Sequence, residues 1–152
     1  MGKKSRSLIT PVIGIVAVVL VVIVTGLLRK SRLDESSQAL AISVTESIFV
    51  DEDFNVLVDS SHSSLLEQYT AENLILTMGS VTRILGPLEV INSISGSAES
   101  SLLPFASNPP RASYSIAMNF SGNSANAVIE MLYENDAWLL TMYRIDSQLL
   151  ND

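Results

Sequence analysis

Histidine occurs once, at position 62 in the stretch "DSSHSS". A serine hydroxyl, an imidazole and a carboxylate are the parts of a nucleophilic hydrolase, and Asp59, Ser60 and Ser61 supply the other two types beside His62. Their adjacency argues against that chemistry, because such triads are assembled from separated segments of chain. A solvated turn between helices, rich in capping residues, is the simpler reading. Metal chemistry has fewer parts still. There is no cysteine, and the "DED" at 51–53 lacks the spacing of a calcium loop. No catalytic residue, no metal ligand and no cofactor is assigned.

The remaining candidates lie toward the carboxyl end. In a hairpin turning at Asn135-Asp136, an unbroken register sets Ile129 against Met142 and Ala127 against Arg144. Arg144 then shares a face with Trp138 and Met142. There it could pair with Glu89, hold an anionic ligand, or carry its charge out to water. Tyr114, Met118, Phe120, Tyr133, Trp138 and Met142 form an aromatic and methionine set. With Arg144, they are candidates for lining a ligand pocket, or simply for core, which aromatic residues dominate. The opposite face takes Val128, Glu130, Leu132, Leu139, Thr141, Tyr143 and Ile145. That mixture of apolar and polar side chains suits a partner-binding surface.

The elements that must position these residues can be read from periodicity. Leu40, Val44 and Ile48, flanked by Ala41, Thr45 and Phe49, make a helical stripe within residues 33 to 59. The acidic run at 51–53 either interrupts that helix or rides on its solvated face. Ser64 and Glu67 have capping-box spacing and open a short helix through about Tyr69. Thr70 caps another, with Leu74, Met78, Val81 and Leu85 on one face and Gly86-Pro87 as its stop. The period then changes to two. Strands are expected at 88–95, 112–120, 126–134 and 137–147, with a long Ser- and Pro-rich loop over 96–111.

Ahead of all this, residues 8–28, "LITPVIGIVAVVLVVIVTGLL", carry no charge. As a helix this run reaches about 30 Å, the thickness of a bilayer's hydrocarbon core. No cleavage motif follows it, so a retained single-pass anchor is expected. The expected organisation is a basic tail at 1–7, the span at 8–28, a basic juxtamembrane linker at 29–34, an α+β domain at 35–148 and a short tail at 149–152. Three basic residues flank the span on each side. Beyond Arg32 only Arg83, Arg111 and Arg144 oppose all 16 Asp and Glu, a formal charge of −13. So acidic a domain offers no surface for nucleic acid. It also favours a cell-membrane protein with its carboxyl terminus outside the cytoplasm.

Helices followed by a meander of about four strands indicate an α+β fold. The segments "LLEQYTAENL", "ILGPLEVINSISG", "YSIAMNF" and "VIEMLYENDAWLLTMYRID" resemble the cone-shaped nuclear-transport-factor-like and cystatin-like superfamily. Within it, they are similar to small bacterial members carried behind one membrane anchor. The resemblance covers about residues 35–147, with Ala137 where such a hairpin commonly has Gly. It implies a curved sheet wrapped on helices, with either an apolar pocket or an interaction face. Lacking a catalytic set, the chain is expected to be a non-enzymatic accessory domain. It would bind another protein, or itself as a homo-oligomer. The alternative is a small-molecule-binding or isomerase-type cone.

Overall fold

One helix organises the molecule. In the computed structural model, which describes residues 9–100 and 108–150 and side chains from residue 19 onward, α1 runs unbroken from Ile9 to Phe49. Its 41 residues span about 60 Å at 1.5 Å per residue. The expected linker at 29–34 is therefore helical. Residues 1–8, with the basic tail, lie outside the described set, as do residues 101–107 and 151–152. Among the described residues no helix is long and apolar enough to cross a membrane. Of the expected span, residue 8 and the side chains of residues 9–18 lie outside them.

The second half of α1 is amphipathic. Leu33, Ser37, Ala41, Val44 and Ile48 are buried at spacings that keep to one side of a helix. The helix stops where three carboxylates, Asp51, Glu52 and Asp53, would crowd the negative end of its dipole. Glu52 turns the chain with a φ of 53°. The Asp53 Oδ1 accepts the Asn55 backbone N–H at 3.1 Å, starting α2 (Asn55–Asp59). Of the two readings of the acidic run, interruption is the one observed: the helical stretch over 33–59 is two helices with an acidic turn between.

α3 (Ser63–Gln68) and α4 (Ala71–Leu85) follow. Thr70 caps α4 through Asn73 N–H, as its position predicts. The cap of α3 is not Ser64 but His62, whose ring accepts the Ser64 backbone N–H at 3.1 Å. Ser64 and Glu67 fit the capping pattern two residues too late, and the imidazole lone pair takes the role a hydroxyl usually fills. On α4, Met78, Val81 and Leu85 are buried and Leu74 partly so. Gly86, at φ 78°, ends the helix and leads into the sheet.

Strands β1 (Leu88–Glu99), β2 (Arg111–Phe120), β3 (Asn123–Glu134) and β4 (Ala137–Asp146) form an antiparallel meander in sequence order. β1 runs four residues further than expected. It can do so because Gly96 lies so close over β2 that a Cβ there would meet the Ser113 carbonyl. The β3–β4 turn uses Asn135 and Asp136, both with positive φ, the geometry that twists with a hairpin. Past β4, Ser60–His62 adds a short parallel rung: the His62 N–H donates to the Leu140 carbonyl and the Leu140 N–H to the Ser60 carbonyl.

The core lies between α1 and one face of this sheet. Ala112, Tyr114, Ile116, Met118 and Phe120 alternate inward from β2, and Ala125, Ala127, Ile129 and Met131 from β3. Phe120 meets Phe49 edge to face, ring centres 5.2 Å apart. Full burial of side chains this size contributes roughly 1.5–3 kcal/mol each.

The hairpin departs from its expected register at one residue. Leu140 pairs with Met131, but Glu130 pairs with Met142. Thr141 is an extra residue, a β-bulge, and every side chain beyond it changes face. Tyr143 and Ile145, expected on the outer face, therefore point into the core and pack there. Met142 and Arg144, expected inside, point out. A one-residue insertion leaves no mark on alternation when the strand is apolar at every position nearby.

Candidate functional site

Three aromatic side chains of the sheet end in polar groups, and each finds a hydroxyl on α1. The Tyr114 OH lies 2.8 Å from Ser37 Oγ and donates to Asp34 Oδ1 at 3.0 Å. The same carboxylate oxygen accepts the Ala98 N–H at 2.7 Å, tying β1 to the helix as well. The Trp138 Nε1–H donates to Ser36 Oγ at 3.0 Å, and the Tyr143 OH to Thr45 Oγ1 at 3.2 Å. Burial pushes the Tyr114 phenol pKa up; the Ser37 bond opposes this and the Asp34 carboxylate adds to it. Burial raises Tyr143 further, against a smaller opposing effect of the Thr45 bond. These contacts fix the rotation of α1 under the sheet. They were not foreseen, although Ser36, Ser37 and Thr45 were visible as hydroxyls within a helix facing a core.

The aromatic set therefore divides. Tyr114, Met118, Phe120 and Trp138 are buried core beneath α1. Tyr133 is partly buried and stacks edge-on against Trp138 at 5.1 Å. Met142 and Arg144 lie on the other face of the sheet. The interior these residues would have lined is filled by their own side chains. Among the described residues, every buried side-chain nitrogen and oxygen has a hydrogen-bond partner.

His62 does make a serine–histidine–carboxylate chain, but with other partners than its neighbours suggested. Its Nδ1 lies 2.8 Å from Ser64 Oγ and its Nε2 3.0 Å from Glu134 Oε2. Because Nδ1 accepts the Ser64 backbone N–H, the ring proton of the neutral form sits on Nε2 and donates to Glu134. The lone pair a general base would use is engaged in capping α3. The arrangement ties α3 to the β3–β4 hairpin rather than presenting a nucleophile. Arg144 pairs not with Glu89 but with Asp146, two residues on, at 2.9 and 3.0 Å. Glu89 instead accepts from the Ser121 hydroxyl. Among the described residues no group of three or more His, Asp or Glu could hold a metal ion.

An open concavity lies on the outer face. A groove of about 520 Å³ runs across all four strands, walled by His62, Ser64 and Gln68 on one side and by Ser97 and Glu99 on the other. Its floor includes Arg111, Ser113, Glu130 and Leu132, with Thr141 of the bulge at its margin. Glu99 and Arg111 are register partners. Among the described residues Arg111 makes no ion pair. Val128, Leu132, Leu139 and Met142 are half-buried beside it. Of the expected interaction face, Val128, Glu130, Leu132 and Leu139 share this surface, Thr141 borders it, and Tyr143 and Ile145 do not belong to it. Ser97, Arg111 and Ser113 were missed because strand 88–95 was expected to end before them and the polar side of β2 carried no distinctive chemistry. No family model, no curated protein and no solved structure matches this chain.

Proposed function

We propose that this protein is a single-pass, membrane-anchored, non-enzymatic domain that binds another protein through the outer face of its sheet. The observation that carries the anchor is the upper half of α1. Val19, Leu20, Val21, Val22, Ile23 and Val24 are consecutive and all exposed, between 36% and 62%. Six consecutive residues cover every side of a helix. A partner helix would bury one stripe and leave the rest in water; a hydrocarbon surround accounts for all of them. The uncharged run of 8–28 matches the bilayer core in length. The acidic domain beyond it favours placement outside the cytoplasm.

Binding through the sheet rests on the contrast between a filled interior and an open outer groove. Four half-buried aliphatic side chains, flanked by Glu130, Arg111 and Arg144, have the mixed character of a protein interface core and rim. The filled interior weighs against a small-molecule or isomerase-type cone. A helix layered on an antiparallel sheet agrees with the cone-shaped superfamily the sequence resembles. Photo-crosslinking tests the surface. A benzophenone side chain replacing Leu132 or Leu139 should trap a defined adduct in the native membrane, and one replacing Ser80 on α4 should not. An adduct at twice the chain's mass identifies self-association. Equal labelling from all three positions, or from none, contradicts the proposal.

A further inference from the structure

The basic segment just beyond the apolar run does not stand alone. Arg29 and Arg32 are one helical turn apart on α1, and the tip of the β3–β4 hairpin folds down beside them. Thr25, Leu28, Arg29 and Arg32 line one groove of about 430 Å³ together with Tyr133 and Asp136. Opposite charges thus face the same space without touching: among the described residues neither arginine nor Asp136 forms an ion pair. Tyr133, held edge-on against Trp138, presents an aromatic ring at the same level.

We propose that this groove holds the headgroup of a zwitterionic phospholipid, one that carries a phosphate and an ammonium. This rests on the membrane reading given above. If Leu28 marks the end of the hydrocarbon, Arg29 to Arg32 lie about 1.5–6 Å above it at 1.5 Å per residue. That is the thickness of one headgroup layer, roughly 5–7 Å per leaflet. Guanidinium groups bind phosphate oxygens in a planar fork. The ammonium then reaches Asp136, with Tyr133 offering its ring face to the cation. Arg29, Arg32 and Asp136 line the same groove, so a headgroup that carries both a phosphate and an ammonium meets a partner for each charge. An anionic headgroup without the ammonium satisfies the arginines and leaves Asp136 opposed.

Native mass spectrometry of the full chain, released from nanodiscs of equal phosphatidylethanolamine and phosphatidylglycerol, tests this. The unaltered protein should retain phosphatidylethanolamine in preference, by about two- to fivefold, the range of one exposed ion pair. Arg29→Gln with Arg32→Gln should lose the retained lipid. Asp136→Asn, which still tolerates the turn, should keep a lipid and lose the preference. Equal retention of both lipids by the unaltered protein, or variants indistinguishable from it, overturns the proposal. Labelling of Ile23→Cys with an impermeant maleimide, in the same nanodiscs, separates the two failures. A shielded Cys without lipid preference removes only the headgroup site, while a reactive Cys removes the membrane reading as well.

Discussion

The two halves of α1 belong to one unbroken helix and meet opposite surroundings. From Leu33 to Phe49 the helix alternates sides: Ala41, Val44 and Ile48 lie under the sheet, and Glu35 and Glu46 face water. From Val19 to Leu28 its large apolar side chains are exposed all round. The halves differ in composition, uncharged above and mixed with Asp, Glu and Ser below, and in how their apolar residues are distributed around the helix. One stripe calls for a protein layer, and a full circumference calls for a nonaqueous solvent. Between them no break intervenes, so the domain continues into the apolar half of α1 as one rod rather than through a linker. The orientation of the sheet on α1 is then set by the three hydroxyl contacts from Tyr114, Trp138 and Tyr143.

Substitutions should separate the halves. Leu20→Arg with Ile23→Arg should have the largest effect. Each arginine costs about 2.5–3.5 kcal/mol at the centre of a span, and the chain should leave the membrane fraction with the unfolding midpoint of its domain unchanged. Ile48→Ala should do the reverse. Removing a fully buried Ile costs about 2–5 kcal/mol, read as a lower unfolding midpoint by circular dichroism, with membrane retention intact. If either substitution changes both readouts, the halves are not independent.

Alkaline titration sharpens the lower half. The folded-state pKa values of Tyr114 and Tyr143 are raised, so the folded protein holds these phenolic protons more tightly than the unfolded chain does. That stability is fully present below about pH 10, the unfolded value. It is lost as pH climbs through the folded values, by at most about 1.4 kcal/mol per pH unit for each phenol. Denaturant midpoints followed from pH 8 to 12 should be flat and then fall, and Tyr143→Phe should lessen the fall. Tyr114→Phe should cost about 1 kcal/mol at pH 7, one hydrogen bond's worth, since Asp34 keeps its bond from Ala98 N–H. His62→Ala, whose hydrogen bonds go to α3 and the β3–β4 hairpin, should cost about 0.5–2 kcal/mol as a lost helix cap, in chemical denaturation, with no effect on membrane retention.

Periodicity made most of the fold legible. The stripe of α1, the face of α4, the Gly86 stop, the four strands and the Asn135-Asp136 turn follow from spacing and from residues with restricted or permissive backbones. Thr141 was not legible. A bulge adds one residue to a strand that is apolar on both sides, so Met142 and Tyr143 look equally fit for the core until the register is known. His62 was readable as part of a capping turn, but its partners were not, since Glu134 lies 72 residues away in the chain. The outer groove escaped because serines on a strand carry no pattern of their own. Only the curvature of the sheet and the position of α3 bring Ser97, Arg111 and Gln68 around one space.

The anchor is the central claim, and the absence of cysteine from the chain allows it to be tested without background. Single cysteines placed at Val22 and at Ser80 can be challenged with a membrane-impermeant maleimide in intact membranes. The account predicts that Val22→Cys stays unlabelled until detergent is added, and that Ser80→Cys labels at once from outside the cell. Labelling of Val22→Cys at the rate of Ser80→Cys in intact membranes would contradict it.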